Sequence, residues 1–252
     1  MKLAENLKKA VLQAAMQGKL TRQLKTDSSV DDLLQKIAEE KAALIKEGKI
    51  KKDTTKAGAS GRALAEITEE EIPFEIPENW RWVKVGNVLS IARGGSPRPI
   101  TSYLTTSDDG YNWIKIGDTD DSMYITCTEE KIKSSGLRKT RQVHAGDLLL
   151  SNSMSFGRPY ILAIDGCIHD GWLVLHFDQN KIHPVYLCSY LSQATTYCEL
   201  SKLAAGGVVN NLNKEIVKVL PTLVPKIDIQ KQFVNIVEQA DKSKQIAFSR
   251  AS

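Results

Sequence analysis

The sequence predicts an α+β fold, with one globular unit on a mixed or antiparallel sheet, an N-terminal helical hairpin and a C-terminal helix. Three observations carry this reading. Apolar residues recur at helical spacing near both ends of the chain. Between residues 80 and 221 the pattern changes to short runs rich in Val, Ile, Tyr and Trp, separated by Gly, Asp, Asn and Ser clusters. At 252 residues there is room for one large domain or two small ones.

Taken in order, Leu3, Leu7, Ala10, Val11 and Ala14 form one apolar stripe that ends near Gly18, which predicts a helix over 3–17 with a glycine stop. Ser28 or Ser29 is placed to cap a second helix. Its first turn carries Asp31 and Asp32, and Leu33, Leu34, Ile37, Ala38 and Leu44 run toward Gly48. Residues 49–67 are rich in Lys, Thr, Gly and Ala without a period and read as a linker, so the first unit is 1–67. Thr68 to Glu71 has the form of a capping box closed quickly by Pro73. Strands are expected at 81–85, 111–116, 147–151, 160–164 and 173–177, interrupted by one helix over 183–203. The second unit is therefore 68–221. After Pro221 and Pro225, Asp228 is placed to cap a last helix over 228–249, in the third unit, 222–252. Each terminal stripe must bury its apolar side. Packing on the central unit and pairing of helices along a coiled-coil-like seam, within one chain or between two, both satisfy that need. Leu3, Leu7 and Val11 on the first helix, and Ile229, Phe233, Ile236, Val237 and Ala240 on the last, are the candidate interface residues.

The 34 bases and 30 acids give a net charge of +4, which permits a polyanionic partner without demanding one. Their distribution says more: +5 over 1–67, −3 over 68–88, 0 over 89–221 and +2 over 222–252. A neutral central unit offers little net attraction to a polyanion, so any such binding in isolation is expected to be weak and strongly salt-dependent. No apolar run approaches the roughly 20 residues of a membrane-spanning helix. Cys127, Cys167, Cys188 and Cys198 form no CxxC, so reduced thiols in a cytoplasm are expected rather than a disulfide scaffold or zinc site.

Catalytic signatures are absent: no GxxxxGK[ST], no GxSxG and no HExxH. Asp120, Glu129 and Lys131 have only the loosest likeness to the acids and lysine of a metal-dependent nuclease. Three polar stretches stand out instead. In 93–99, paired Gly94 and Gly95 permit close backbone approach to a ligand, Ser96 follows, and Arg93 and Arg98 flank the turn; arginine suits phosphate and bidentate contact with guanine. In 151–158, Ser151, Asn152 and Ser153 precede Arg158. In 206–214, paired glycines lead to Asn210, Asn211, Asn213 and Lys214, and asparagine can bond N6 and N7 of adenine together. With Trp80, Trp82 and Trp113, these stretches fit a binding module better than an enzyme.

The order of segments resembles the specificity subunits of type I restriction-modification systems over nearly the whole chain. The resemblance lies in LKKAVLQAAMQGKL, LLQKIAEEKAALIKEGKIKK and ITEEEIPFEIPENWRWVKVGNV, followed by RGGSPRP, GYNWIKIGD, HAGDLLLSNSMSFGRPYI, GGVVNNLNKEIVKVLPTLVP and IDIQKQFVNIVEQ. It implies a non-catalytic, cytoplasmic subunit that reads double-stranded DNA through a target recognition domain flanked by conserved helices, with no membrane partner. It assigns S-adenosylmethionine, ATP and magnesium to partner modification and restriction subunits, and no cofactor or metal to this chain. Family members typically carry two recognition domains, whereas this sequence has one; a natural half-subunit would restore the pair as a homodimer reading an interrupted palindrome, which is the expectation here, whereas a truncated chain would not need to. The alternative is a stand-alone DNA-binding or regulatory protein. By the resemblance, Gly94, Gly95, Ser96, Arg98, Ser151, Asn152, Ser153, Arg158, Asn210, Asn211 and Asn213 are candidate DNA contacts, with Lys115 and Lys214 on phosphate.

Overall fold

The computed structural model describes residues 2–21, 29–48, 50, 67–153, 156–205 and 211–249, with 2–5 and 243–249 as backbone only. The helical ends follow the apolar stripes. Helix α1 spans Lys2–Met16 and α2 spans Asp31–Lys46. Gly18 and Gly48, at φ 71° and 72°, follow the two helices in the left-handed conformation that ends them. Ser29 accepts the Asp31 amide at 3.2 Å, ahead of α2, while Ser28 lies outside the described residues, as do 49 and 51–66 of the expected linker. The turn at Glu69–Glu71 is capped by the return bond from the Thr68 amide to Glu71 Oε2, 3.1 Å.

The strands and helices then run β1 (Arg81–Lys84), α3 (Val85–Val88), β2 (Ser90–Arg93), β3 (Leu104–Thr105), β4 (Tyr111–Ile114), β5 (Tyr124–Ile125), β6 (Glu130–Ile132) and β7 (Arg141–Val143). After these come β8 (Leu148–Ser151), β9 (Pro159–Leu162), β10 (Gly166–Ile168), β11 (Trp172–His176), α4 (Pro184–Leu191), α5 (Ala194–Ala204), α6 (Lys214–Lys218), β12 (Pro221–Val224) and α7 (Ile227–Ser249). They build two five-stranded mixed sheets, β2-β11-β8-β9-β5 and β3-β6-β4-β10-β7, and a two-stranded ribbon, β1-β12. Only the β4–β10 and β5–β9 pairs are parallel among the described residues.

Strand alternation explains the layers. Leu148, Leu150, Leu173 and Leu175 face the helices, while Leu149, Trp172 and Val174 face the core shared with Ile114 and Ile168 of the second sheet. Burial on both faces is why β8 and β11 read as unbroken apolar runs. Trp113, Ile132 and Cys167 form a smaller cluster with partly buried Ile100, Leu104 and Leu137.

Four expectations change. The helix over 183–203 is two helices, because the backbone at Gln193 is extended (φ −68°, ψ 142°) between them, and the Thr196 hydroxyl donates to the Tyr190 carbonyl at 2.9 Å at the end of α4. Asp228 sits in the first turn of α7 rather than at its cap, where its charge still meets the helix dipole favourably. Strand β12 begins at residue 221, where the central unit was expected to end, and pairs with β1 from Arg81↔Val224 to Lys84↔Pro221. The N-terminal helices find their main partners outside the expected hairpin: α1 lies along α7, with an ion pair between Lys8 and Asp241, and α2 lies on α3, with the Lys41 ammonium on the Gly86 carbonyl.

Helix α7 is fastened to the same chain. Phe233 is 1% exposed and meets Tyr186 of α4 edge-on at 5.3 Å. Gln230, fully buried, donates to the carbonyls of Lys181 and Pro225 at 3.0 and 2.8 Å and accepts the His183 amide at 2.7 Å. Phe233 and Val237 are thus core residues rather than contacts for a second chain. Ile229, Ile236 and Ala240 are half-buried, as is Val11; Leu7 is 64% exposed, and the Leu3 side chain is outside the described set.

Candidate nucleic-acid interface

Both large sheets deliver their loops to one end. In the first sheet, Leu173 pairs with Arg93 and Trp172 with Ser151, so β2 and β8 finish where β11 starts. In the second, Ile168 pairs with Ile114 and with Arg141, so β4 and β10 finish where β7 starts. The turn 169–171 joins β10 to β11 and bridges the two sheets at this end.

Asp170 in that turn gathers the loops. Its carbonyl accepts Asn152 Nδ2 at 2.8 Å and Arg93 Nε at 3.0 Å, and its Oδ1 accepts the Ser96 hydroxyl at 2.8 Å. Arg98 Nη2 reaches Oδ2 at 3.4 Å. The third polar stretch joins through the Leu212 amide, which donates to the Asn152 carbonyl at 2.9 Å. Three stretches far apart in sequence therefore meet at one place. Around it, Arg93, Arg98, Lys139 and Arg141 are exposed. Arg141 Nε donates to the Arg93 carbonyl at 2.8 Å, and the Lys139 ammonium lies 4.8 Å from the centre of the Tyr103 ring.

Several candidates turn out to hold the loops rather than present them. A Cβ on Gly94 would lie 2.0 Å from the His169 carbonyl, and one on Gly95 would lie 2.9 Å from the Lys139 carbonyl. The close approach that these glycines permit is to the chain's own backbone. Ser151 is fully buried, its hydroxyl bonded to the Arg158 amide and carbonyl; Asn152 is 3% exposed. Asn213 caps α6, its Oδ1 accepting the amides of Glu215 and Ile216 at 2.9 Å. Lys115 sits at the right end but pairs with Glu130 at 3.2 Å, and Lys214 pairs with its neighbour Glu215 at 3.5 Å. Arg158 is held by the Asp120 carbonyl at 3.0 Å and lies over the Tyr160 ring. Arg98 is 82% exposed in its side chain; Asn211 is exposed and Ser153 half-buried. Asn210 lies outside the described residues, with 206–209. Trp80 and Trp113 are core residues, and Trp82 packs edge-on against Phe74, so none is a surface stacking platform.

The nuclease-like set does not assemble. Asp120 accepts the Ser122 amide, Glu129 faces Lys115, and Lys131 reaches the Asp108 carbonyl. Among the described residues no group of three His, Cys, Asp or Glu side chains is placed to hold a metal, and no helix is long and apolar enough to cross a membrane. Cys127, Cys167, Cys188 and Cys198 are free thiols.

His169 makes the turn pH-sensitive. Its Nδ1 faces the Gly171 amide at 2.9 Å and its Nε2 the Ile116 amide at 3.2 Å, so backbone donors meet both ring nitrogens. The neutral ring can accept from one of them, and a doubly protonated ring from neither. Burial, the largest cause, holds its pKa below the ordinary 6.5, and neighbouring Asp170 opposes this without reversing it. His183, whose Nδ1 caps α4, is also lowered, first by burial and then by Lys231. A depressed folded pKa gives stability that is complete above the unfolded value and is lost as pH falls through the folded one. The melting temperature is therefore expected to drop between pH 7.5 and 5, and His169→Asn to flatten part of that slope in melts across the range. An unchanged slope would remove His169 from the account.

A family model for the type I restriction modification DNA specificity domain matches residues 77–249. The chain is 26% identical over 241 residues to the type I restriction enzyme EcoEI specificity subunit of Escherichia coli, covering 92% of this chain and 39% of that protein. To the EcoAI specificity subunit of the same organism it is 43% identical over 88 residues, 35% of this chain and 14% of the relative. The crystal structure of the HsdS subunit from Thermoanaerobacter tengcongensis resembles it with a TM-score of 0.54 at 20% identity, covering 99% of this chain and 53% of that one. The chain thus spans about half or less of these proteins, and the structural likeness speaks for the fold. With the family match extending over more than half of its residues, the chain belongs to the type I restriction modification DNA specificity domain family.

Proposed function

We propose that this chain is a non-catalytic DNA-reading unit of a type I restriction-modification complex, recognising one half of a bipartite double-stranded target. The convergence of three polar stretches at one end of both sheets, rimmed by Arg93, Arg98, Lys139 and Arg141, carries this reading. Arg98 is the foremost base-reading candidate, with Ser153 and Asn211 on the adjoining loops, and Arg93, Lys139 and Arg141 on phosphate. Ser96, Asn152, Asn213 and the two glycines act by positioning. Modification and restriction subunits would dock on the helical side and bring S-adenosylmethionine, ATP and magnesium, and the work would be done in the cytoplasm.

A second copy completes the target. Helix α7 has 23 residues, about 34 Å at 1.5 Å per residue, close to the 34–36 Å of one duplex turn. Two copies paired through the exposed sides of the terminal helices, Leu7 among them, would set two reading ends on one face of a palindrome. Light scattering at micromolar concentration tests this, and a strict monomer with and without DNA overturns the dimer.

Arg98→Ala is expected to cost about 1–3 kcal/mol on the preferred site and to relax preference at one base pair in selections from a randomised duplex library. Equal weakening on every sequence would instead make Arg98 a phosphate contact. Methylome sequencing of a host with and without the chain tests the function as a whole.

A further inference from the structure

The carboxylate at the centre of the basic rim is the residue that base reading leaves unexplained. Asp170 is 41% exposed in its side chain, while its main chain and Oδ1 are held by neighbours. Its carbonyl holds Asn152 and Arg93, its amide donates to the Ser96 hydroxyl at 3.3 Å, and its Oδ1 accepts from that same hydroxyl. His169 Nδ1 stands 3.7 Å from Oδ1. The Ser96 bond is the first cause holding the carboxyl below its usual range, so the group is an anion at neutral pH.

Ion pairing with Arg98 does not account for this carboxylate. Their single contact is 3.4 Å long and the Arg98 side chain stays 82% exposed, unlike the short bidentate geometry of a structural Arg–carboxylate pair. A carboxylate offers about four acceptor positions, and Oδ2 makes only this one long contact among the described residues. Within a rim of arginines an anion repels phosphate and lowers affinity for DNA in general. A donor on a base edge would match the oxygen that Ser96 leaves open. In the major groove, cytosine offers its N4 amino group beside the O6 acceptor of its partner guanine.

We infer that Asp170 and Arg98 read one G·C pair together, Arg98 donating to the guanine edge and Asp170 Oδ2 accepting from cytosine N4. This rests on the DNA-reading role proposed above. The test uses the full chain in randomised-duplex selection and equilibrium binding. Asp170→Asn is expected to lose about tenfold discrimination at the base pair that Arg98→Ala relaxes, while binding unrelated DNA more tightly. Independently of any effect on folding, N4-methylcytosine at that position, which turns a methyl rather than an N–H into the groove, is expected to weaken the unaltered chain about tenfold. Full discrimination by Asp170→Asn, relaxation at a different base pair, or indifference to the methylated base overturns the inference while leaving DNA reading in place. A lack of any sequence preference in the unaltered chain overturns the reading role itself, and the inference with it.

Discussion

Gly94→Ala is expected to lower stability by roughly 2–4 kcal/mol and to abolish selective DNA binding. The estimate combines overpacking, typically 1–3 kcal/mol, with a weakened backbone hydrogen bond of about 1 kcal/mol. The added Cβ would sit 2.0 Å from the His169 carbonyl oxygen and 2.9 Å from that of Ile168, and backbone atoms cannot swing aside as a side chain can. Relief requires the loop to part from the turn 169–171. That motion breaks the Gly94 amide's bond to the Trp172 carbonyl, 2.9 Å, and strains the Gly95 bond to Ile168, 3.2 Å. Ser96 and Arg98 ride on the same loop, so the proposed reading surface is lost with the packing. Thermal melting and duplex binding check both consequences. Unchanged melting with intact binding would show that the loop is not held here.

The same glycine marks how far the sequence was legible. The end helices, the principal strands β1, β4, β8, β9 and β11, and the polar stretches followed from period and composition. The loops' convergence did not, because it depends on strands of three residues, β7 and β10, too short to show any period. A lone His-Asp-Gly turn carries no motif, so nothing local singles out His169 and Asp170; their importance arises from what the two sheets bring to them. Other residues carry a local signal for an internal role. Ser151 and Asn152 close a strand buried on both faces, which favours internal bonding over ligand contact. Asn213 stands directly before Lys214, Glu215 and Ile216, the position of a helix cap, and capping takes the side-chain oxygen that would have faced a base. Paired glycines indicate a close approach but do not say to what.

The apolar stripe of α7 was open to two fates, a seam within the chain or one between chains, and Phe233→Ala separates them. Phe233 is 1% exposed against Tyr186, and Val234 and Val237 beside it are 8% and 4% exposed. Removing a buried phenyl ring costs about 3–5 kcal/mol, a large part of the roughly 5–15 kcal/mol that holds a typical domain folded. The loss is expected at every protein concentration in urea titrations, because the ring's partners belong to the same chain. Leu7→Ala is the contrasting case. With Leu7 64% exposed, its truncation should leave unfolding within about 0.5 kcal/mol and act only on association, seen by light scattering. If Phe233→Ala left dilute unfolding untouched and removed only the dimer, α7 would be an arm for a second copy, and its packing on α4 would be secondary. If instead both substitutions act as expected, the inner side of the terminal helices builds the domain and the outer side is what remains for partners.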